Sequence, residues 1–251
     1  MRGLQIEEMR IVVTFAVQAE FAPWRRMRNF TRIKETEFIT RTGDTEVRAL
    51  ITGIRARRFH LPASDFCVAS GVAGSLKAEY PIASVLMATA VKREDSETVI
   101  TADDVLRRTA IHCGATPVDF FCTTENIVST ASEKSRLGQI ADAVDMESYP
   151  ILAEAQRQGI PAVAIRAISD AADHELPLDL SRAINQDGKL EWLPALSQVA
   201  ASPGSLPKLM RFGLESSRAA RKLALFLDKY LECLTHETHL VSTTGMENGG
   251  A

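Results

Sequence analysis

The sequence predicts one three-layer α/β domain. Three observations carry that prediction. Apolar, β-branched runs of strand length recur along the chain, stretches of helical pattern separate them, and turn-rich clusters between them are few. The 251 residues permit one large domain or two small ones, with a sizeable core in either case.

Arg10 to Ala16 is a buried first strand by its β-branched, apolar composition. A helix follows from about Ala19 to Asn29, with Pro23 tolerated in its first turn. Strands over Glu37–Arg41 and Glu46–Thr52 flank a turn at Thr42–Asp44. Phe66 to Ala69 is a short strand that runs into a glycine-containing turn, SGVAGSL, at Ser70–Leu76. Ile82–Val91 is a strand candidate whose alanines leave helix open, Thr101–Cys113 reads as a helix, and Val118–Cys122 as a strand. A helix over Glu147–Gln158 is stopped by Gly159 and Pro161. Pro161 to Ile168 is almost wholly apolar, as in a strand covered on both faces. Beyond Ala171 the pattern turns helical. The domain is read as residues 1–234, with a helical extension from about 181, its last helix from about Leu206 to Cys233, and a disordered polar tail over 235–251.

Composition excludes several classes. Apolar residues make up 45% and charged residues 24%, ordinary for a globular protein. A net charge of −3 lacks the basic excess that binding to nucleic acid requires. Cys67, Cys113, Cys122 and Cys233 form no CxxC pair, which suits reduced thiols and argues against both disulfides and zinc. MRGLQIEEMR carries charges where a secretory signal needs an apolar core, and no apolar run is long enough for stable membrane insertion. A cytoplasmic location is expected.

Four segments carry chemistry. AVQAEF (Ala16–Phe21) puts Glu20 at a helix N-terminus, where the dipole alone would favour an acid. SGVAGSL lets a ligand approach the backbone closely, although plain tight turns look the same. AVDMES (Ala143–Ser148) delivers Asp145, Met146 and Glu147 from a strand end into a helix. AIRAISDAAD (Ala164–Asp173) ends an apolar strand in Ser169 and Asp170, where open α/β sheets bind ligands. Asp170 reads equally as a helix N-cap. Arg166, inside that strand, needs a buried partner that the sequence does not identify.

In this order the four segments resemble those of the 5′-methylthioadenosine/S-adenosylhomocysteine nucleosidases within the nucleoside phosphorylase superfamily, over about Arg10 to Asp173. The resemblance implies a central mixed β-sheet flanked by helices, a homodimer, a purine nucleoside as the small-molecule partner, and neither cofactor nor metal. It implies cleavage of the N-ribosidic bond of an adenine nucleoside. Glu20 then activates water, and Asp170 protonates the departing adenine. Glu147 holds the ribose hydroxyls, and Met146 packs on the sugar. Val72, Ala73 and Gly74 lie beside ribose and base, Ile127 and Val128 hold adenine through the backbone, and Ser169 joins the substrate-binding set. These residue types suit an oxocarbenium-like transition state, which needs an acid on the leaving group and a base on water.

Two regions depart from the family pattern. Gly53–Phe66 is crowded with arginines and lacks a full helix. Asp187–Leu225 is similar to the C-terminal extension of the hopanoid-associated phosphorylases, which act on an adenosyl-lipid; its helices equally suit completion of the core. Hydrolysis is expected, because the first loop offers a carboxylate where phosphorylases place a glycine and arginine pair. The alternatives are phosphorolysis, with Arg55, Arg57 or Arg58 as a phosphate clamp, and a non-catalytic nucleoside-binding protein. A binder has no need of Glu20 and Asp170 together.

Overall fold

The computed structural model describes residues 8–175 and 206–247. The first strand, β1 (Met9–Phe15), runs parallel to β4 (Thr45–Ile51) on one side and to β5 (Phe66–Ser75) on the other. Beyond β4, the antiparallel β3 (Glu37–Thr42) and the two-residue β2 (Thr31–Arg32) form an open edge. On the other side the sheet closes on itself. β5 pairs in parallel with β10 (Ala162–Asp170) and antiparallel with β9 (Ala143–Asp145). β10 pairs with β6 (Val85–Arg93), β6 with β8 (Thr116–Thr123), and β8 with β9. The circuit β5–β10–β6–β8–β9 returns to β5. The short β7 (Val99–Thr101) adds to β6. The mixed sheet flanked by helices matches the expected architecture.

Strand alternation makes the three layers. Val13, Val68 and Ile165 face one side, where α1 (Gln18–Met27), α2 (Asp104–His112) and the long α5 (Leu206–Glu247) contribute Phe21, Trp24, Leu106, Leu223, Leu227 and Tyr230. Val12, Cys67, Ala69 and Ala164 face the other, against Ile151, Leu152 and Ala155 of α4 (Ser148–Arg157). Side-chain caps start the shorter helices. Asp103 accepts from the amides of Val105 and Leu106 at α2, and Thr130 with Glu133 forms a capping box at α3 (Ala131–Leu137). Gly159, at φ 70, follows α4 as the expected stop.

Several boundaries differ from the sequence reading. SGVAGSL is not a turn: β5 continues through it to Ser75. Its glycines let an extended strand pass close to functional groups instead of reversing the chain. Pro23 sits inside α1 rather than in its first turn. Ile82–Val91 resolves as strand, shifted to Val85–Arg93. The segment after Gly53 forms only a 3-10 turn, Ile54–Ala56, in which Arg55 takes φ 69 and Ala56 φ 43. The last helix does not end near Cys233, and the expected disordered tail is helical backbone through Glu247. Polarity alone does not stop a helix, and no glycine or proline occurs between Cys233 and Gly245. The extension expected from about 181, as far as residue 205, lies outside the described residues.

Candidate active site

The carboxyl ends of β1, β5, β8, β9 and β10 meet around a cavity of about 550 Å³, walled on its remaining side by Leu209, Phe212, Gly213 and Ser216 of α5. Glu20, Val72, Ala73, Gly74, Ile127, Val128, Met146, Glu147, Ser169 and Asp170 all line it. The structure therefore brings together, from five separate segments, every residue that the resemblance assigns to catalysis or substrate binding, and leaves Arg55, Arg57 and Arg58 outside the lining. No lysine or arginine lines the cavity among the described residues. No group of three potential metal ligands occurs among them either, and no helix among them is long and apolar enough to cross a membrane.

Glu20 is held by backbone. Its Oε2 accepts from the amides of Ala16 (2.9 Å) and Val17 (3.3 Å), and its Oε1 from that of Val72 (3.0 Å). This clamp explains Gly71. At φ 151, a Cβ there would stand 3.2 Å from Glu20 Oε1 and 3.3 Å from Arg166 Nη1. Burial pushes the Glu20 carboxyl above its ordinary range, against the Val72 amide and the Arg166 charge, which favour the ionised form. A carboxylate moved toward neutrality in this way is suited to take a proton.

Glu147 stands at the start of α4, its Oε1 accepting from the amide of Arg55 at 2.8 Å. Burial first, then the neighbouring Asp145, pushes its carboxyl up to about 8, with Arg166 pulling the other way. Arg166 finds its partner in Asp145, with Nε to Oδ2 at 2.7 Å and both side chains 1% exposed. Thr123 Oγ1 donates to Asp145 at 2.8 Å, the Ser148 amide donates at 3.1 Å, and the Ser148 hydroxyl donates as well. Arg166 Nη1 donates to the Ala69 carbonyl at 3.0 Å. One buried guanidinium thus joins β10, β9 and β5 beneath two acids of the cavity.

Asp170 is paired from behind. Lys134 of α3, fully buried, donates through Nζ to Asp170 Oδ2 at 2.5 Å, to the Ala171 carbonyl at 2.7 Å and to the His174 carbonyl at 2.9 Å. Ser169 Oγ donates to Asp170 Oδ1 at 2.7 Å. Gly74 is again a matter of space, since a Cβ there would stand 3.0 Å from Asp170 Oδ2.

The arginines of the Gly53 turn point to other work. Arg55 Nε donates to the Glu125 carbonyl at 2.8 Å, and Arg57 pairs with the Glu125 carboxylate at 2.8 Å. Sequence reasoning missed Lys134, the Asp145–Arg166 pairing, and Thr124, Asn126, Leu209 and Phe212 on the cavity wall. For Lys134 a signal existed: Thr130 and Glu133 have the spacing of a capping box, which marks a helix start at Ala131 and puts the lysine in the first turns of that helix. The four cysteines are free, and burial pushes Cys67 up to about 12 and Cys122 up to about 11, so neither offers a thiolate near neutrality.

The family model described as the phosphorylase superfamily matches residues 64–190. No curated protein matches the chain in sequence. Among solved structures, the fold is similar to that of a futalosine hydrolase mutant of Helicobacter pylori, at 16% identity and a TM-score of 0.66, covering 89% of this chain and 99% of that one. It is similar also to the 5′-methylthioadenosine/S-adenosylhomocysteine nucleosidases of Helicobacter pylori and Campylobacter jejuni. Each is 18% identical with a TM-score of 0.66, covering 90% and 89% of this chain and 99% of theirs.

Proposed function

The chain belongs to the phosphorylase superfamily, and from that membership and its cavity we propose that it hydrolyses the N-ribosidic bond of an adenine nucleoside. Glu20, fixed by three amides and pushed up by burial, takes a proton from the attacking water. Glu147 holds the ribose hydroxyls, with Met146 against the sugar. Asp170 passes a proton to the base, because adenine leaves poorly as an anion. Ile127 and Val128 border the base, and Val72, Ala73, Gly74 and Ser169 complete the wall. Removing one of the acid–base partners is expected to cost about 10²–10⁴-fold.

One observation favours water over phosphate as acceptor. Carboxylates from three walls meet in the cavity, and no cationic side chain lines it among the described residues. A phosphate dianion there would be buried with no cationic side chain to pair with. Of the three arginines expected as a possible phosphate clamp, Arg55, Arg57 and Arg58, the first two are engaged with Glu125, and none lines the cavity.

Similar solved structures are a futalosine hydrolase and 5′-methylthioadenosine/S-adenosylhomocysteine nucleosidases, so the fold serves more than one nucleoside substrate. Leu209 and Phe212 on α5 give this cavity an apolar wall, which favours an apolar substituent such as methylthio, and is also what an adenosyl-lipid would require. The test is incubation with methylthioadenosine in phosphate-free buffer. Free adenine and free sugar are expected; a sugar 1-phosphate formed only on addition of phosphate would overturn hydrolysis. No cleavage of any purine nucleoside would favour the non-catalytic binder.

A further inference from the structure

Lys134 is a fully buried lysine on a seven-residue helix, and its ammonium has three acceptors for its three protons. Two are carbonyls, of Ala171 and His174, just past the end of β10. The third is the carboxylate of Asp170, which lines the cavity. Burying such a pair is poorly repaid in stability, since desolvation offsets the attraction. Packing therefore gives no strong reason to place an ammonium here, and the chemistry of Asp170 does.

We propose that Lys134 is the positioning residue that aims the Asp170 carboxyl at the leaving base and supplies the proton that Asp170 hands over. The proposal rests on the reading of Asp170 as the acid. A bare carboxylate would repel the negative charge that grows on the base as its bond to ribose breaks. Joined to an ammonium at 2.5 Å, the unit is neutral overall and holds a transferable proton. As the C–N bond breaks, its electron pair passes to the base. A proton moves from Lys134 Nζ to Asp170, and one from Asp170 to the base nitrogen, leaving a neutral amine and a carboxylate. Water contributes its hydroxyl to the sugar and its proton to Glu20, and solvent exchange then restores the ammonium. The two carbonyls hold Nζ in line with Oδ2, and Ser169 fixes the other carboxylate oxygen.

The experiment compares two substrates: methylthioadenosine, whose base needs a proton to leave, and p-nitrophenyl riboside, whose phenolate leaves without one. Lys134→Met is expected to lower kcat for adenine release by at least about tenfold with KM little changed, and to leave the aryl riboside within about threefold of wild type. Equal loss on both substrates, or no loss on either, would overturn the proposal in favour of a structural clamp.

Because Lys134→Met leaves a buried carboxylate unpaired, it risks failing to fold. The double variant Lys134→Met/Asp170→Asn removes both charges and is compared with Asp170→Asn alone. If Lys134 acts through Asp170, the double variant releases adenine as slowly as Asp170→Asn and no slower; a further tenfold loss would refute that. Asp170→Asn with normal adenine release would sink the acid assignment, and this proposal with it. Asp170→Asn impaired beside a normal Lys134→Met would sink the role of Lys134 alone.

Discussion

Glu147→Gln tests the electrostatics of the cavity without any substrate. The Glu147 carboxyl is pushed from its ordinary 4.5 up to about 8, by burial first and Asp145 second. Between those values the folded protein keeps a proton that the unfolded chain has released. The native state binds more protons there, so stability falls as pH rises, by about 1.4 kcal/mol per pH unit for one full proton. The penalty begins above 4.5 and levels off above 8. Integrated from pH 6 to pH 8, it amounts to roughly 2 kcal/mol. Gln cannot titrate and escapes it. Glu20 is raised as well, but it is present in both proteins and largely cancels in the comparison. Urea unfolding of wild type and variant at pH 6 and pH 8 supplies the four numbers. The variant should gain on wild type by roughly 2 kcal/mol between the two pH values. A difference between the proteins that stays constant with pH would refute the account of Glu147 as a buried, proton-retaining acid.

Three further outcomes follow from the same geometry. Above pH 8, where Glu147 is ionised, Glu147→Gln should weaken nucleoside binding by more than about tenfold while sparing free adenine, because only the sugar loses a charge-assisted partner; calorimetric titration that finds equal weakening for both would contradict it. Glu20→Gln should cut adenine release in phosphate-free buffer by about 10²-fold or more, and near-normal turnover would remove Glu20 from the mechanism. Arg166→Met leaves Asp145 buried without its cation, at a cost of about 3–5 kcal/mol, and a denaturant midpoint close to wild type would show the pair to be dispensable.

The fold and most of the cavity wall were legible because their signals are local. An apolar run ending in Ser169 and Asp170 states both that a strand is covered and where its polar end emerges. VDMES does the same for Glu147, and the glycines of SGVAGSL announce a close approach. What they approach is a different matter. Gly71 reads as a turn residue until Glu20 and Arg166 are seen within 3.4 Å of its missing Cβ, and β5 runs straight through the segment that local rules would bend. Alternation separates Val12 from Val13 but not the closed half of the sheet from the open one. Closure depends on β10 pairing with both β5 and β6, and no residue pattern within any one strand records that.

The same division explains the partners of the acids. Asp145 lies 21 residues from Arg166 in sequence, and Lys134 lies 36 residues from Asp170. Nothing in the neighbourhood of any of the four specifies its mate. A lysine in SEKSRL has the composition of an exposed helix, and by residue type alone it belongs on the surface. It is inside because α3 packs Leu137 into a small core with Leu76, Cys122 and Val144, and Lys134, three residues before it on the same helix face, is turned inward with it toward the end of β10. An acid at a strand end can therefore be recognised from its own segment, whereas the group that governs its proton is fixed by how a distant helix is seated. The consequence is measurable. Asp170→Asn leaves the Lys134 ammonium buried without its counter-charge, so that variant should lose about 3–5 kcal/mol of stability as well as turnover. Adding Lys134→Met to it should restore part of that loss in denaturant unfolding, and a double variant less stable than Asp170→Asn alone would show that the two carbonyl contacts of Lys134, rather than its pairing with Asp170, dominate its place in the fold.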